Sequence, residues 1–555
     1  MTAGVPGDPE FARGWQPGAR PRLLAGFAAG AVLNLAFAPF GLWPLAVLCP
    51  SLLFALIRSR GPFEAGGVGA CFAAGLFAFG TYWLYTSIHK FGQAPVWLTL
   101  FLQAGLIAIM AVYSAALCWT ANRFWPHAGA VRQWLVLPSL WVLLEWVRGW
   151  ALSGFPWLAL GYAFTDSPLA PWAPILGVYG LTWCAVLLAA SVEGLWRPGI
   201  GARARLLAGA AMLLLVLAPF GLARLSFTTP AGAPIPVAVV QGAVPQDEKW
   251  IEGNREATLE RYANLTATQA WGARLIVWPE AAIPMLSTEL TDFFRALREA
   301  GQRHSADFAI GQLRYDPQTD QYHNGLLVMN AQGEGWYYKR RLVPFGEFFP
   351  VPPFVRSWMR LMSLPYSDMT PGSEDQPILH AAGQPLGLTI CYEDAYGSEQ
   401  RAVLAEATLL VNVIRNNAWY GGLHRAASAP ADLACMRAMS CFHLIRAASS
   451  GVPRSSARGE VIARLPQFAR RVAGRGRAAD PACAYAGGQL SGARRHDVAA
   501  RDRVAAPAAP AYDEVWFRAA HRARREVAPG FSRTMGSCKN SLRTGGHRGR
   551  SRLLG

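Results

Sequence analysis

Two fold classes follow one another in this 555-residue chain: a polytopic α-helical membrane domain over residues 22–225, then a layered α/β domain over residues 226–470. Three observations predict them. The first part is filled by seven apolar runs, each close to the length of roughly 17 to 25 residues that crosses a bilayer as a helix. The second part alternates short β-branched runs with stretches of helical period. The texture changes between the two at Pro234.

The apolar runs lie at roughly 22–39, 41–57, 66–88, 95–120, 133–147, 170–196 and 204–223. Only the Pro39-Phe40-Gly41 turn separates the first two, so a re-entrant hairpin is an alternative to two spans. A hydrophobic share of 52%, a positive mean hydropathy and 21 tryptophans agree with a lipid environment, since Trp favours membrane–water interfaces. The first run lacks a small-residue cleavage site before the next begins, so a cleaved signal peptide is not expected.

Lysine and arginine placement sets the expected orientation, because cytoplasmic loops carry their excess. Arg13, Arg20, Arg22, Arg58, Arg60, Arg123, Arg132, Arg197, Arg203 and Arg205 fall on one side, and Lys90, Arg148 and Arg224 on the other. That distribution puts residues 1–21 in the cytoplasm as an N-terminal tail. Seven crossings then put everything after about residue 225 on the outer face. Within the fifth run, Glu145 and Arg148 are ionisable residues in a costly place. They are expected to be a snorkelling structural pair or a lipid headgroup contact, near the outer end of that span.

The net charge of +17 does not form one continuous patch. It is spread over loops between apolar runs and over the last ninety or so residues, so nucleic acid is not an expected partner. Cysteines stand at 49, 71, 118, 184, 391, 435, 441, 483 and 538, with no C-x-x-C pair and no metal-ligand spacing. Neither a disulfide scaffold, a metal site nor a cofactor is expected.

In the α/β part, PIPVAVVQG, ARLIVWPE, ADFAIGQ, NGLLVMN, PLGLTICYED and ATLLVNVI read as buried strands. Residues 253–271 and 288–303 carry helical spacing with charged outer faces. Strands alternating with helices argue for packed α and β layers. Residues 471–555, rich in Arg, Ala and Gly, hold neither period for long and read as an irregular basic tail.

Three strand ends in this part finish on reactive residues. Glu280 closes LIVWPE, Lys339 follows WYY, and Cys391 closes LGLTIC. Each has a bland reading alone: a solvated turn, a solvated basic face beside Arg340 and Arg341, an inert core thiol. Together they supply what a thiol nucleophile needs, namely a base for its proton and a positive charge for the thiolate and the oxyanion that follows.

The order WPE, then K-x-x-L-V-P-F-G-E, then C-Y-E-D resembles the nitrilase (carbon-nitrogen hydrolase) superfamily. With the apolar runs ahead of it, the chain is similar to the apolipoprotein N-acyltransferase family over roughly residues 22–425, and more brokenly to about 468. VVQG followed by PQ and Lys249-Trp250, GFPW at 154–157, and NNAWYG at 416–421 add to the likeness. The resemblance implies an α-β-β-α sandwich for the second domain. It implies Glu280 as general base, Lys339 as stabiliser of the tetrahedral intermediate and Cys391 as nucleophile. Glu347 matches a second acidic residue that orients the site, and Tyr392 and Glu393 follow the nucleophile. Trp250 and Trp419 match aromatics near the acyl-chain entrance, against a reading as ordinary interface or core tryptophans.

The implied activity is N-acylation of the N-terminal diacylglyceryl-cysteine of apolipoproteins, the last step of bacterial lipoprotein maturation. The donor is a phospholipid, typically phosphatidylethanolamine, the intermediate is a thioester on the cysteine, and no cofactor is needed. The implied location is the bacterial inner membrane, with the catalytic domain on the periplasmic side. A membrane-tethered amidase or hydrolase is the alternative. A second alternative, an inactive product, has its own support: after NNAWYGG the chain departs from the family pattern, and the family's eighth span is not recognisable. Stretches read out of frame from about residue 422 onward are an expected cause of that departure.

Overall fold

The computed structural model of the chain describes residues 19–38, 40–91, 94–127, 129–151, 154–196, 201–225, 233–343, 347–348, 369–397, 403, 405–414, 444–448, 453–455, 461–464, 471–473 and 477–478. Helices occupy each of the seven apolar runs: α1 (Ala19–Leu33), α2 (Leu45–Ile57), α3 (Pro62–Gly80), α5 (Val96–Phe124), α6 (Leu137–Arg148), α7 (Ala173–Trp196) and α8 (Ala202–Leu222). A single turn, α4 (Trp83–Tyr85), lies between α3 and α5. Among the described residues, four helical stretches are long and apolar enough to cross a membrane: Pro62–Gly80, Val96–Phe124, Ala170–Leu195 and Arg205–Leu222. At 1.5 Å per residue, the 29-residue α5 is roughly 43 Å long and outreaches a ~30 Å hydrocarbon layer.

Helices α1 and α2 are separate elements joined by the turn Asn34–Ala36, where the amides of Phe40 and Gly41 donate to the Phe37 carbonyl. Pro39 itself lies outside the described residues. Close backbone approach sets the α1–α3 crossing: a Cβ on Gly30 would stand 1.8 Å from the Phe72 carbonyl oxygen, so only glycine fits.

The second part holds two sheets. One has the order β12-β1-β2-β3-β4-β5, formed by Arg471–Ala473, Ile235–Gln241, Leu275–Trp278, Asp307–Asp316, Gln321–Met329 and Glu334–Tyr338, with β13 (Arg477–Ala478) also on β1. The other has the order β11-β10-β9-β8-β7-β6, formed by Val461–Arg464, Pro453–Ser455, Leu444–Ala448, Leu409–Ile414, Gln384–Ile390 and Leu379–Ala381.

Side-chain alternation sorts the first sheet into two cores. Val237, Val239, Leu275 and Val277 face Leu386, Leu388, Ile390, Val411 and Val413 of the second sheet. Ala238, Val240, Ile276 and Trp278 point the other way, onto α10 (Arg255–Leu265) and α11 (Thr291–Arg303), the helix ahead of them, α9, being the short Gln246–Lys249. The described residues thus form an α-β-β stack. Residues 415–443 are outside them.

Three readings of the sequence need correction. Strands β6, β9, β10 and β11 extend the sheets beyond those read as strands; each has at most five residues, too few for a continuous apolar signature. Residues 471–473 and 477–478 are not irregular but pair antiparallel with β1, Val240 opposite Val472 and Ile235 opposite Ala478. An edge strand is held by its backbone and needs no alternating side chains. Finally, Glu145 and Arg148 do not snorkel. Both are buried, 3.6 Å apart, with Glu145 accepting from the Leu160 amide at 2.9 Å and the Thr182 hydroxyl at 2.6 Å, while Arg148 donates to the Trp157 carbonyl at 2.6 Å. The segment after α6 and Thr182 of α7 supply these partners, so the pair stays inside the bundle.

Candidate active site

Strand directions bring the reactive residues to one edge. β2 runs parallel to β3, β4 antiparallel to β3 and β5 antiparallel to β4, so β2, β3 and β5 end together where β4 begins. Glu280 follows β2, Lys339 follows β5, and Cys391 follows β7 of the facing sheet. The chain at Glu280 is pressed against β3: a Cβ on Gly311 would stand 2.4 Å from the Pro279 carbonyl and 2.5 Å from the Glu280 Cα, which demands glycine there. The Ala282 amide then donates to the Gly311 carbonyl at 2.8 Å and fixes the turn.

Cys391 sits at φ +59°, a left-handed conformation that a side-chain-bearing residue rarely takes. It marks the point where β7 turns sharply into the helical turn Cys391–Ala395. Strain of this kind at a strand-to-helix turn lifts a nucleophile out of the sheet. Asn412 of β8 secures it, donating to the Cys391 carbonyl at 3.0 Å and the Thr389 hydroxyl at 2.8 Å.

Around the sulfur the charges are dense and dry. Glu280, Lys339 and Glu347 are each at most 5% exposed, whereas Cys391 keeps partial exposure. The Lys339 Nζ lies 3.6 Å from the Glu280 Oε1, 2.8 Å from the Glu347 Oε2 and 2.9 Å from the Glu347 Oε1. The Val343 amide donates to the Glu347 Oε2 at 2.8 Å. Burial alone would lower Lys339, but Glu347, then Glu280 and Cys391, outweigh it and hold the ammonium well above the ordinary lysine range. The Cys391 thiol is pushed well up, first by burial and then by Glu280, against the pull of Lys339. Cys391 therefore rests as a thiol and needs a base within the same cluster to become a nucleophile.

Glu393 ties the two sheets together. Its carboxylate accepts from the Ile390 amide at 2.7 Å, the Arg340 amide at 2.5 Å, the Arg341 amide at 3.1 Å and the Tyr337 hydroxyl at 3.0 Å. The end of β5, bearing Lys339, is thereby clamped to the turn bearing Cys391. Burial moves the Glu393 carboxyl upward, opposed by the Ile390 amide, Lys339 and the Arg341 and Arg340 amides.

The remaining residues singled out in the sequence lie elsewhere or partly out of view. Trp250, 40% exposed, ends α9 with the Lys249 ammonium 5.9 Å from its ring centroid. Tyr392 is the first residue after Cys391 in the helical turn. Trp419 lies outside the described residues. Reasoning from the sequence missed Asn324, which donates to Glu280 Oε1 at 2.6 Å and Glu347 Oε1 at 2.8 Å, and Asn412. The available signal was an asparagine inside a strand that otherwise reads as buried apolar, NGLLVMN and LLVNVI. It also missed Tyr396, whose hydroxyl donates to the Gly154 carbonyl at 3.2 Å and so joins the turn that follows Cys391 to the loop after α6.

Comparison with known proteins places this geometry. Residues 29–191 match the family model of the apolipoprotein N-acyltransferase N-terminal domain, and residues 236–474 match that of the carbon-nitrogen hydrolases. The apolipoprotein N-acyltransferase of Methylococcus capsulatus is 38% identical over 451 residues, covering 81% of this chain and 88% of the relative. That of Azotobacter vinelandii is 38% identical over 468 residues, covering 82% and 89%. Among solved structures, Saccharomyces cerevisiae Nit3, a member of branch 10 of the nitrilase superfamily, aligns over 44% of this chain and 91% of its own at 16% identity and a TM-score of 0.32. With both family models matched in order and relatives aligned over most of their length, this chain belongs to the apolipoprotein N-acyltransferase family, acyltransferases that carry a carbon-nitrogen hydrolase domain on an apolar helical one.

Proposed function

We propose that the protein N-acylates the diacylglyceryl-cysteine at the N-terminus of apolipoproteins, taking the acyl group from a phospholipid, phosphatidylethanolamine foremost, through a thioester on Cys391. The observation that carries this reading is the cluster itself: one strained cysteine facing a carboxylate and an ammonium that are 3.6 Å apart in a dry site.

In the first half-reaction Glu280 takes the Cys391 proton and the sulfur adds to the phospholipid sn-1 ester carbonyl. Lys339 and the Tyr392 amide face the oxyanion. The intermediate collapses with cleavage of the C–O bond, the proton on Glu280 passes to the departing lysophospholipid oxygen, and the acyl thioester remains. In the second half-reaction the α-amino group of the lipoprotein cysteine adds to the thioester carbonyl, and Glu280 takes the amine proton. The C–S bond breaks, the amide forms, and the thiolate recovers its proton from Glu280. Glu347 holds Lys339 in place, and Glu393 holds the Cys391 turn.

Residues 22–225 serve as the membrane domain and 226–470 as the catalytic domain, on the periplasmic side of the inner membrane. Both substrates are anchored in lipid, so the thiol must stand near headgroup level, and exclusion of water protects the thioester. The exposed Trp250 and Ile251 support an acyl-chain entrance beside the site.

The test uses phospholipid carrying a labelled sn-1 acyl chain, with and without an acceptor diacylglyceryl lipopeptide. The expected result is a labelled protein adduct that is discharged onto the lipopeptide amine and is absent in Cys391→Ala. Release of labelled free fatty acid without N-acylation would make the protein a hydrolase instead, and N-acylation by Cys391→Ala would overturn the thioester.

A further inference from the structure

Asn324 is a single uncharged residue that touches every charged partner of the cluster. It stands in β4 opposite Leu313 of β3 and is 1% exposed. Its backbone carbonyl accepts from the Lys339 amide at 2.8 Å, which places the root of that side chain. Its side-chain amide donates to Glu280 Oε1 at 2.6 Å and to Glu347 Oε1 at 2.8 Å. Its Oδ1, also buried, has no hydrogen-bond partner among the described residues.

That orientation is informative. Turned over, the amide would set its oxygen against two carboxylate oxygens, a repulsive arrangement. As it stands, both N–H groups serve the carboxylates and the acceptor goes without. The cluster gathers two carboxylates, Glu280 and Glu347, around the Lys339 ammonium, with the buried Lys249 ammonium 3.5 Å from the Glu280 backbone carbonyl. Two like charges at such range normally drive one carboxylate to take a proton. The Asn324 amide offers each one a hydrogen bond without adding or removing charge.

We propose that Asn324 is the positioning residue of the acyl-transfer step: its amide holds Glu280 as an oriented carboxylate beside Lys339, with Oε1 engaged, so that the thiol proton is delivered to Oε2. This rests on the assignment of Glu280 as proton acceptor. Asparagine suits the task because its amide carries two donor hydrogens on one nitrogen. Serine has one donor, and aspartate has none when ionised.

The experiment measures single-turnover thioester formation from labelled phospholipid between pH 5 and 9, per mole of monodisperse, folded full-length enzyme, for wild type, Asn324→Ala, Asn324→Asp and Glu280→Gln. Asn324→Ala is expected to lower the acylation rate on the order of 10²-fold, the usual result of loosening a reacting group by about an ångström. Its acid limb is expected to move to higher pH, since removing donors from a carboxylate favours the protonated form. The charged and titratable groups near that residue include Lys339, Glu347 and Cys391, and Lys249 at its backbone carbonyl, all retained in the variant. Asn324→Asp, the same shape with no donor and one more carboxylate, is expected to lose more than Asn324→Ala.

A purely structural role would lower the yield or the melting temperature and leave the pH profile of the folded enzyme in place. Wild-type rate and profile in Asn324→Ala, with Glu280→Gln inert, would overturn this inference alone. Normal acylation by Glu280→Gln would overturn the role of Glu280 itself. Failure of both Asn324 variants to give monodisperse enzyme would also count against the inference, assigning the residue to folding.

Discussion

In the helical bundle, Glu145 and Arg148 form a buried pair of opposite charges, with both Glu145 oxygens accepting from Leu160 and Thr182 and Arg148 Nη1 donating to Trp157. In the sandwich, Glu280 and Glu347 share Lys339, and the Cys391 thiol stands beside them. The first cluster balances its charge and is closed by neighbouring backbone and hydroxyl groups. The second gathers its buried charges around the Cys391 thiol. Burial of charge alone is therefore no sign of chemistry; a thiol set among the buried charges is. Each of the following measurements strains that contrast.

The largest effect is expected at Lys339. Lys339→Met leaves two carboxylates without their counter-charge and removes the oxyanion partner, so acyl transfer should fall on the order of 10³-fold or more, read as initial rate of lipopeptide N-acylation. Retention of even a tenth of the rate would mean that the ammonium serves only as structural balance, as Arg148 does in the bundle.

Arg148→Met should act on stability. Leaving Glu145 without its partner in the bundle is expected to cost about 3 to 5 kcal/mol, seen as a lower melting temperature in detergent, while acylation per folded enzyme is retained. The double variant with Glu145→Gln should recover most of the loss. A folded Arg148→Met enzyme with normal stability and defective acylation would move this pair from scaffold to site.

Glu280→Gln should separate thiol acidity from catalysis. Glu280 is, after burial, the next cause holding the Cys391 thiol up, while Lys339 pulls it down. Removing the carboxylate should therefore lower the pH at which the thiol ionises and speed its alkylation by iodoacetamide near neutral pH. Acyl transfer should nonetheless be lost. Slower alkylation in the variant would show that the carboxylate is not what raises the thiol.

Tyr396→Phe should give the smallest change. The variant removes the hydroxyl that reaches the Gly154 carbonyl across the two regions. A loss of about 0.5 to 1.5 kcal/mol in stability is expected, the ordinary worth of one hydrogen bond. A drop in acylation larger than that in stability would make this contact a coupling between the regions.

What the sequence alone determined was local and periodic. Apolar runs dictate helices because lipid leaves no other partner for backbone polar groups. Alternation in PIPVAVVQG and LIVW dictates buried strands because one face meets each core. Glu280, Lys339 and Cys391 were legible because each ends such a strand and their combination matches a known order. Tertiary structure decided the rest. Asn324 reaches Glu280 across 44 residues, Glu393 reaches Tyr337 across 56, and Tyr396 reaches Gly154 across 242. No local period records which buried polar atom will meet which, since hydrogen bonds act over a few ångströms and their partners are chosen only when the sheets and helices are packed. For the same reason, the sequence showed that Glu145 and Arg148 were costly where they stand, and only the packed loop after α6 showed how they are accommodated.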